Sequence, residues 1–217
     1  MTGITHLHDL SDAIRRDFDG NKLSPKGLNK FLTNCKKSTS LVQINLEKAA
    51  QLVRSFKQIA VDQTSEEKRR FDVKKYLEEI HTSVHSVLKK NNIDVSIECP
   101  AGISIDSFPG AFSQIVTNLL MNSIAHAFQG IDDRSVSILV DIEDSVLQII
   151  YSDNGTGIAT ENLTKIFDPF FTTNRDNGGS GLGLNIVFNL VTNTFKGDIR
   201  CVSESNKGCQ FILTLQV

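Results

Sequence analysis

The sequence lacks several features that would place it in a specialised class of protein. No charge of one sign dominates, since 23 Lys and Arg residues stand against 25 Asp and Glu residues and the formal net charge is −2. This balance provides no electrostatic attraction to nucleic acid or to an anionic membrane. Glycine (14 residues) and proline (4 residues) are too few for a low-complexity chain. No apolar run approaches the roughly 18 residues of a membrane span, and the first residues lack the layout of a signal peptide.

Cysteine is also scarce and unpatterned. The four residues Cys35, Cys99, Cys201 and Cys209 show no CxxC spacing, which argues against a zinc site and against a disulfide scaffold. We expect reduced thiols in a cytoplasmic protein, with any membrane anchor of a longer protein lying upstream. Cys201 and Cys209 could face each other across a hairpin, where accidental oxidation is possible.

With 40% apolar residues, the chain can bury the core of one large or two small domains. Apolar side chains recur at alternating steps of four and three between Leu28 and Ala60, which is the 3.5-residue period of bundled helices. Ser24 and Pro25 supply an N-cap and a first helical residue. Because a shorter apolar stripe precedes them, residues 1–63 are predicted to form an antiparallel helical hairpin. The stripe positions are Leu28, Leu32, Cys35, Thr39, Val42, Leu46, Ala49, Val53, Phe56 and Ala60, of which only Thr39 is polar.

The two helices of this hairpin differ in length. The second would have about 38 residues and the first at most about 20, roughly 57 Å against 30 Å. The far half of the long helix therefore needs another partner. We expect the first helix to be truncated at its N-terminus, the alternative being cover by another subunit. A two-helix hairpin with a long apolar seam also gains most by pairing with its own copy, which predicts a homodimer.

The rest of the chain mixes helices and strands. The charged residues 64–72 have no apolar stripe and are predicted to be a solvated linker. Over residues 73–217, helices and strands do not alternate strictly. This pattern predicts an α+β fold, an α/β sandwich in which a mixed sheet packs on helices.

A predicted helix from Pro109 to about Phe128 carries a line of polar groups along the edge of its buried stripe. Asn118, Asn122 and His126 follow at i, i+4 and i+8. Amides in mid-helix lower helix propensity and need partners. They either cap neighbouring loops or serve a site, in which Asn122 would offer its oxygen to Mg²⁺.

An acidic turn follows a strongly apolar strand. Asp153, as an acceptor-only carboxylate, can accept a hydrogen bond from the exocyclic amine of adenine, whereas guanine would present a carbonyl oxygen there. Gly155 and Gly157 permit a close approach that a Cβ would block. The alternative for this segment alone is an ordinary turn.

Two further segments follow. Phe167, Phe170 and Phe171 lie in a predicted loop and are too apolar to remain in water, so they are expected to anchor the base of a mobile segment. Lys165, just before them, could reach a phosphate, the alternative being a solvated lysine. Glycines from Gly178 to Gly183 then open a helix, whose unpaired N–H groups favour phosphate. Their spacing fits neither a Walker A loop nor a dinucleotide fingerprint.

Together, in this order, these segments resemble the N, G1, F and G2 boxes of the sensor histidine kinases of two-component systems, within the superfamily that includes gyrase B, Hsp90 and MutL. The resemblance covers residues 109–217, and residues 1–63 resemble the dimerisation and phosphotransfer hairpin by pattern only. It implies a Bergerat-type ATP-binding domain with a flexible lid, which binds ATP and Mg²⁺ and transfers the γ-phosphoryl group to a histidine for relay to a response regulator. The implied ATP-binding residues are Asn118, Asn122, His126, Asp153, Gly155, Gly157, Ile158, Lys165, Phe170, Thr172, Thr173, Gly179, Ser180, Gly181, Leu182 and Gly183, with Asn122 the Mg²⁺ ligand.

The chain departs from the family pattern in two places. Many members have Lys or Arg where this chain has Ala125, and His126 is the neighbouring residue that could replace that cation. His8 is followed by an acid but by no proline, and it lies about ten residues before the turn, where about two dozen are usual. We therefore expect His6 and His8 to be surface histidines, the acceptor histidine to lie upstream of Met1, and autophosphorylation to be impossible for this chain.

Asn118 distinguishes the members of the superfamily. Its ATP-hydrolysing relatives have a glutamate there, able to take a proton from water, whereas an amide has no useful basicity. Phosphoryl transfer to an imidazole is therefore expected in preference to hydrolysis. The alternatives are a nucleotide-dependent regulatory or dimerisation module without transfer activity, and a related ATPase.

Overall fold

The structure is a computed structural model that describes residues 3–62, 67–174 and 179–217. The chain divides into two compact units, Met1–Phe56 and Lys57–Val217. None of the described helices is both long and apolar enough to cross a lipid bilayer.

The first unit is helical. α1 spans Gly3–Asp19 and α2 spans Pro25–Asp62. α2 begins where the sequence predicts, because the Ser24 hydroxyl accepts a hydrogen bond of 3.1 Å from the N–H of Gly27 and so caps the helix.

Much of the predicted apolar seam of α2 faces solvent in the single chain. Leu28, Leu32 and Leu46 are 42%, 54% and 65% exposed, while Cys35 and Val42 are half-buried. Exposed leucines in a regular row are unfavourable unless another surface covers them. The seam positions from Ala49 onward lie outside the described side chains.

The second unit contains a five-stranded mixed sheet. Its strands are β2 (Ile93–Glu98), β4 (Arg134–Glu143), β5 (Val146–Asp153), β7 (Cys209–Gln216) and β6 (Asp198–Ser203), in that spatial order. β2 and β4 are parallel and the other neighbours are antiparallel. Burial alternates along β5 and β7, so one face of the sheet belongs to the core.

Three helices contribute to this core. They are α3 (Val73–Lys90), α4 (Pro109–His126) and α5 (Gly183–Asn189), the last continuing as a π-helical turn over Leu190–Thr194. A 3₁₀ turn spans Thr160–Asn162. Fully buried residues of α4, such as Phe112 and Ile115, join Leu147 and Leu213 of the sheet in one hydrophobic cluster. The predicted α/β sandwich with a mixed sheet on helices is confirmed.

The prediction that residues 64–72 form a solvated linker is wrong at its C-terminal end. Arg69–Asp72 forms β1, which pairs antiparallel with β3 (Ser104–Ser107). The pairing is favourable because Phe71 is 93% buried, opposite Ile105, with its ring 5.8 Å from that of Phe112. A four-residue strand whose partner lies 35 positions away leaves almost no local pattern. Residues 64–66 of the predicted linker lie outside the described residues.

Candidate functional site

The polar line predicted on α4 follows the helix to its last residue. Asn122 and His126 line a cavity against β5, and Asn118 lies one turn earlier, where its Oδ1 is 3.7 Å from the point that a Cβ on Gly183 would occupy. Just beyond the helix, the Ala127 carbonyl accepts a hydrogen bond of 2.8 Å from the N–H of Thr156. This bond ties the end of α4 to the turn that follows β5.

Asp153 ends β5 with its carboxylate held by protein groups on both oxygens. The Ser123 hydroxyl donates to Oδ2 at 2.8 Å, and the Gly155 N–H donates to Oδ1 at 3.1 Å. The Cys209 N–H is a third donor. Burial nevertheless raises the pKa of Asp153 above its ordinary value, because these hydrogen bonds lower it by less than desolvation raises it.

A buried tyrosine extends this network. The Tyr151 hydroxyl donates to Ser123 Oγ at 2.9 Å and lies 3.2 Å from the Leu119 carbonyl. Burial raises the pKa of Tyr151 well above its ordinary value, so the hydroxyl remains protonated and keeps its role as a donor. Asp153 therefore terminates a chain of hydroxyl donors that begins in the core.

Two adjoining cavities open at this end of the sheet, and Asn122, His126 and Ile158 line both. The inner cavity is also lined by Ser123, Ala127, Asp153, Gly157, Cys209 and Phe211. The outer cavity is also lined by Asn162, Ile166, Phe171, Thr172, Thr173, Gly181 and Leu184. The inner cavity presents one carboxylate among mainly apolar groups, and the outer one presents hydroxyl, amide and backbone groups.

The turn after Asp153 requires its glycines. A Cβ on Gly155 would lie 2.5 Å from the Ala127 side chain, and Gly157 has a φ of +70° beside the Glu204 carbonyl. The Ile158 N–H donates to Ser203 Oγ at 2.8 Å, which ties the turn to the end of β6. The predicted residues Gly157 and Ile158 thus line the cavity, whereas Gly155 packs behind it.

The phenylalanine loop does not act as one unit. Phe167 packs against Phe188 at 5.5 Å, and Phe171 lines the outer cavity. Phe170 has a φ of +67° and is 42% exposed, so the expectation that all three rings form an anchor is wrong for this residue. The backbone of Phe170 is held at this position, because the Phe170 N–H donates to the Gly181 carbonyl at 2.8 Å. The predicted phosphate contact Lys165 is exposed.

The glycine segment crosses the loop closely. Gly181 has a φ of +66°, and a Cβ there would overlap the backbone of Phe170. Gly179 donates its N–H to the Asn174 carbonyl at 3.1 Å, and the Ser180 hydroxyl lies 3.4 Å from the Leu182 N–H. Leu182 is buried, so its backbone and not its side chain is available to a ligand. Gly178 lies outside the described residues.

His126 is the basic side chain that reaches both cavities. Burial lowers the pKa of His126 below its ordinary value. The imidazole is therefore predominantly neutral at pH 7 in the free protein, and a nearby anion would favour its protonated form.

The described residues contain no cluster of three or more His, Cys, Asp or Glu side chains able to hold a metal ion by themselves. The Asn122 amide oxygen at the junction of the cavities is a hard ligand that suits Mg²⁺, which commonly takes few protein ligands and completes its shell with water and phosphate oxygens. The donor set thus fits a metal that arrives with a phosphate-bearing ligand.

Sequence reasoning missed several residues of this site. Ser123 and Tyr151 fix the carboxylate, and Cys209 and Phe211 form the floor of the inner cavity. Ser123 could have been found as a small polar residue inside an otherwise apolar helical stripe. The part played by Tyr151 and Cys209 depends on strand register, which the sequence does not display.

Comparisons with known proteins agree on one group. A family described as "Histidine kinase-, DNA gyrase B-, and HSP90-like ATPase" matches residues 109–217. The sensor histidine kinase RcsC of Salmonella typhi is 28% identical over 197 residues, which are 88% of this chain and 20% of RcsC. The chain spans about a fifth of the length of the curated relatives it matches.

Solved structures give the same result for the fold. The nucleotide-free catalytic domain of histidine kinase ThkA superposes with a TM-score of 0.61 at 25% identity, over 69% of this chain and 95% of that domain. The complex of ThkA with the response regulator protein TrrA gives a TM-score of 0.62 at 20% identity, over 96% of this chain and 57% of that one.

Proposed function

The chain belongs to the histidine kinase-, DNA gyrase B- and HSP90-like ATPase family, and from that premise we propose that it is the ATP-binding catalytic part of a sensor histidine kinase. In this proposal it binds Mg-ATP and transfers the γ-phosphoryl group to a histidine. The observation that carries the proposal is the edge of α4, where Asn122 and His126 line both cavities and so connect a carboxylate-bearing inner pocket with a polar outer one.

The inner cavity suits the adenine base. Its carboxylate, Asp153, is already oriented by Ser123 and Gly155, and the remaining lining is mainly apolar. An ionised carboxylate accepts from the exocyclic amine of adenine and repels the carbonyl oxygen that guanine carries at that position. This supports a preference for ATP over GTP.

The outer cavity suits the phosphates. Thr172, Thr173 and the backbone around Gly181 provide donors, and His126 can supply positive charge. Asn122 would hold Mg²⁺, which neutralises charge on the triphosphate when it is bound. We assign Gly179, Ser180 and Gly183 to the same region because they are continuous with Gly181.

The identity of residue 118, one helical turn before Asn122, favours transfer of the γ-phosphoryl group to histidine over hydrolysis of ATP. Asn118 cannot remove a proton from water, whereas a neutral imidazole needs no base to act as a nucleophile. Catalysis would then consist of positioning and charge neutralisation. This argues against the alternative of a water-directed ATPase.

The acceptor histidine stays a prediction. His6 and His8 are exposed on α1, and His8 Nδ1 lies 3.4 Å from Asp12 Oδ2, but no proline follows as in the family motif. We therefore propose an acceptor outside this chain, on a helical hairpin of the family type. The complex of ThkA with TrrA supports a response regulator as the downstream partner. The exposed leucines of α2 support self-association of the helical unit.

The proposal is tested by incubating the protein with γ-labelled ATP, Mg²⁺ and a supplied hairpin that carries a family acceptor histidine. We expect acid-labile label on the hairpin, dependent on Mg²⁺ and abolished when that histidine is replaced. A protein that binds ATP but labels nothing would be a nucleotide-dependent regulatory module. Steady phosphate release without the hairpin would identify an ATPase.

A further inference from the structure

Two cysteine side chains meet beside the inner cavity, which one of them, Cys209, lines. Cys201 on β6 and Cys209 on β7 have their sulfur atoms 3.3 Å apart. The strand register places Cys201 opposite Phe211 and Cys209 opposite Ser203, so the two cysteines are diagonal neighbours on the same, helix-covered face. All four cysteines of the chain are free thiols, and the other two lie on α2 and just after β2.

The two thiols differ in access. Cys201 is half-buried, whereas Cys209 is 94% buried. The adjacent Cys201 sulfur and burial together raise the pKa of the Cys209 thiol. Cys201 is therefore the sulfur that a small oxidant reaches first, and Cys209 is the neighbouring thiol, which remains protonated.

We propose that Cys201 and Cys209 form a redox modification site, in which a hydroperoxide converts the two thiols into an intramolecular disulfide. In the first step, Cys201 takes up an oxygen atom from hydrogen peroxide, giving a sulfenic acid and water. The Cys209 sulfur then attacks that sulfur, a sulfur–sulfur bond forms, and hydroxide leaves with the Cys209 proton as a second water. Two electrons pass from the sulfurs to the peroxide, and an external thiol reverses the reaction by exchange.

The same bond would act on the nucleotide site, a consequence that rests on the proposed function. The Cys209 N–H donates to the Asp153 carboxylate, and the Cys209 side chain lines the inner cavity. Ser203, opposite Cys209, accepts from the Ile158 N–H and donates to the Gly208 carbonyl at 2.6 Å. Drawing Cys209 toward β6 shifts the donor that orients Asp153. We expect the affinity for ATP to fall about fivefold, as for one weakened hydrogen bond.

The test begins with the chemistry of the thiols. The whole chain is treated with hydrogen peroxide in slight excess, its remaining thiols are alkylated, and its peptides are mapped by mass spectrometry. We expect a Cys201–Cys209 peptide that has lost two hydrogen atoms, is restored by dithiothreitol and forms before Cys35 or Cys99 reacts. Oxidation of Cys201 to higher acids without a bond to Cys209, or prior reaction of the other two cysteines, would overturn the proposal.

The second measurement is the affinity of reduced and oxidised protein for a non-hydrolysable ATP analogue, with Cys201→Ser as the matched control. The wild type should lose affinity for the analogue on oxidation and regain it on reduction, while peroxide should leave the affinity of the Cys201→Ser variant unchanged. Equal affinities of reduced and fully disulfide-bonded protein would refute the coupling. Reduced protein that binds no analogue would instead refute the proposed function, and the peptide map would still decide whether the redox site exists.

Discussion

Ser123 Oγ donates a hydrogen bond of 2.8 Å to Asp153 Oδ2, so a buried side chain of α4 fixes the carboxylate that closes β5. A side chain at a strand end ordinarily has a choice of rotamers, and this bond together with that of Gly155 removes the choice. The carboxylate is thus held before any ligand arrives, which lowers the entropic cost of recognising a base. The arrangement also makes Asp153 sensitive to pH, because its burial opposes its charge.

Replacing the Asp153 carboxylate should lower the affinity for ATP without a comparable loss of folding stability. We expect Asp153→Asn to weaken ATP binding by about ten- to a hundredfold, the value of a hydrogen bond to a charged group. The melting temperature should change little, since the amide has no charge to desolvate. Calorimetric titration with ATP measures the affinity, and thermal unfolding measures the melting temperature. The matched control is Asp198→Asn, at an exposed position of β6. Equal ATP affinities of wild type and Asp153→Asn would refute the assignment of the adenine site.

The hydrogen bonds from Tyr151 to Ser123 and from Ser123 to Asp153 predict how substitutions shift the pH dependence of ATP affinity. Ser123→Ala removes a donor that lowers the pKa of Asp153, so that pKa should rise further. ATP affinity is lost on acidification as Asp153 is protonated, and the midpoint of this loss should move to higher pH in the variant. Tyr151→Phe, which removes the hydroxyl one bond further away, should give a smaller shift. Affinity profiles of the three proteins between pH 4 and 8 provide the test, and superimposable profiles would contradict it.

The same pKa determines the sign of the effect on stability. Because the pKa of Asp153 is raised in the folded protein, the carboxyl favours folding below its ordinary pKa, and this contribution is lost as pH rises through the folded value. Ser123→Ala should therefore lose more stability at pH 7 than at pH 4, about 1–3 kcal/mol at the higher pH. Denaturant unfolding at the two pH values measures the difference, and an equal loss at both would argue against an ionised Asp153 at neutral pH.

The sequence predicted those parts of the site that depend on local chemistry. The start of α2, the line Asn118, Asn122 and His126, and the turn at Asp153 follow from capping, helical periodicity and the position of a turn after an apolar strand. The sequence did not predict β1, whose partner β3 is remote, nor the contact of Ser123 with Asp153, which depends on how α4 lies on β5. Phe170 shows a second limit, since its exposure follows from a backbone bond to Gly181 and not from the hydrophobicity of its ring.

His126 should couple nucleotide binding to a proton. Burial lowers its pKa in the free protein, and an adjacent triphosphate raises that pKa by favouring the imidazolium ion. At a pH between the free and the ATP-bound pKa of His126, ATP binding takes up a proton, so the affinity for ATP should rise as pH falls from about 7 to 6. At lower pH, protonation of Asp153, which lines the same inner cavity, should reverse this trend. Calorimetry in two buffers of different ionisation enthalpy measures the uptake. His126→Gln should abolish it, and an unchanged uptake in that variant would place the proton elsewhere.

The glycine segment should tolerate no side chain where it crosses the phenylalanine loop. We expect Gly181→Ala to reduce ATP affinity more than about tenfold, because a Cβ would displace the Phe170 backbone at the rim of the outer cavity. Gly102→Ala is the matched control, since Gly102 also has a positive φ, +84°, but nothing lies within 4 Å of its Cβ position. Both variants should lose about 1–2 kcal/mol of stability to backbone strain. Gly181→Ala should lose more, because its Cβ also overlaps the Phe170 backbone, and only this variant should lose affinity for ATP. Equal affinities of the two variants would contradict a role for this crossing.

The exposed leucines of α2 should determine self-association. Leu32 is 54% exposed on the predicted seam. In a two-fold symmetric dimer, Leu32 of each protomer would be buried in the interface. Leu32→Asp should therefore raise the dimer dissociation constant by far more than tenfold, since each buried leucine contributes roughly 1.5–3 kcal/mol. Leu139→Asp, at a 43% exposed position of the sheet, is the control and should leave association unchanged. Sedimentation analysis across a concentration series distinguishes these cases. A wild type that stays monomeric at high concentration, or a Leu139→Asp variant that dissociates as Leu32→Asp does, would show that α2 is not the contact.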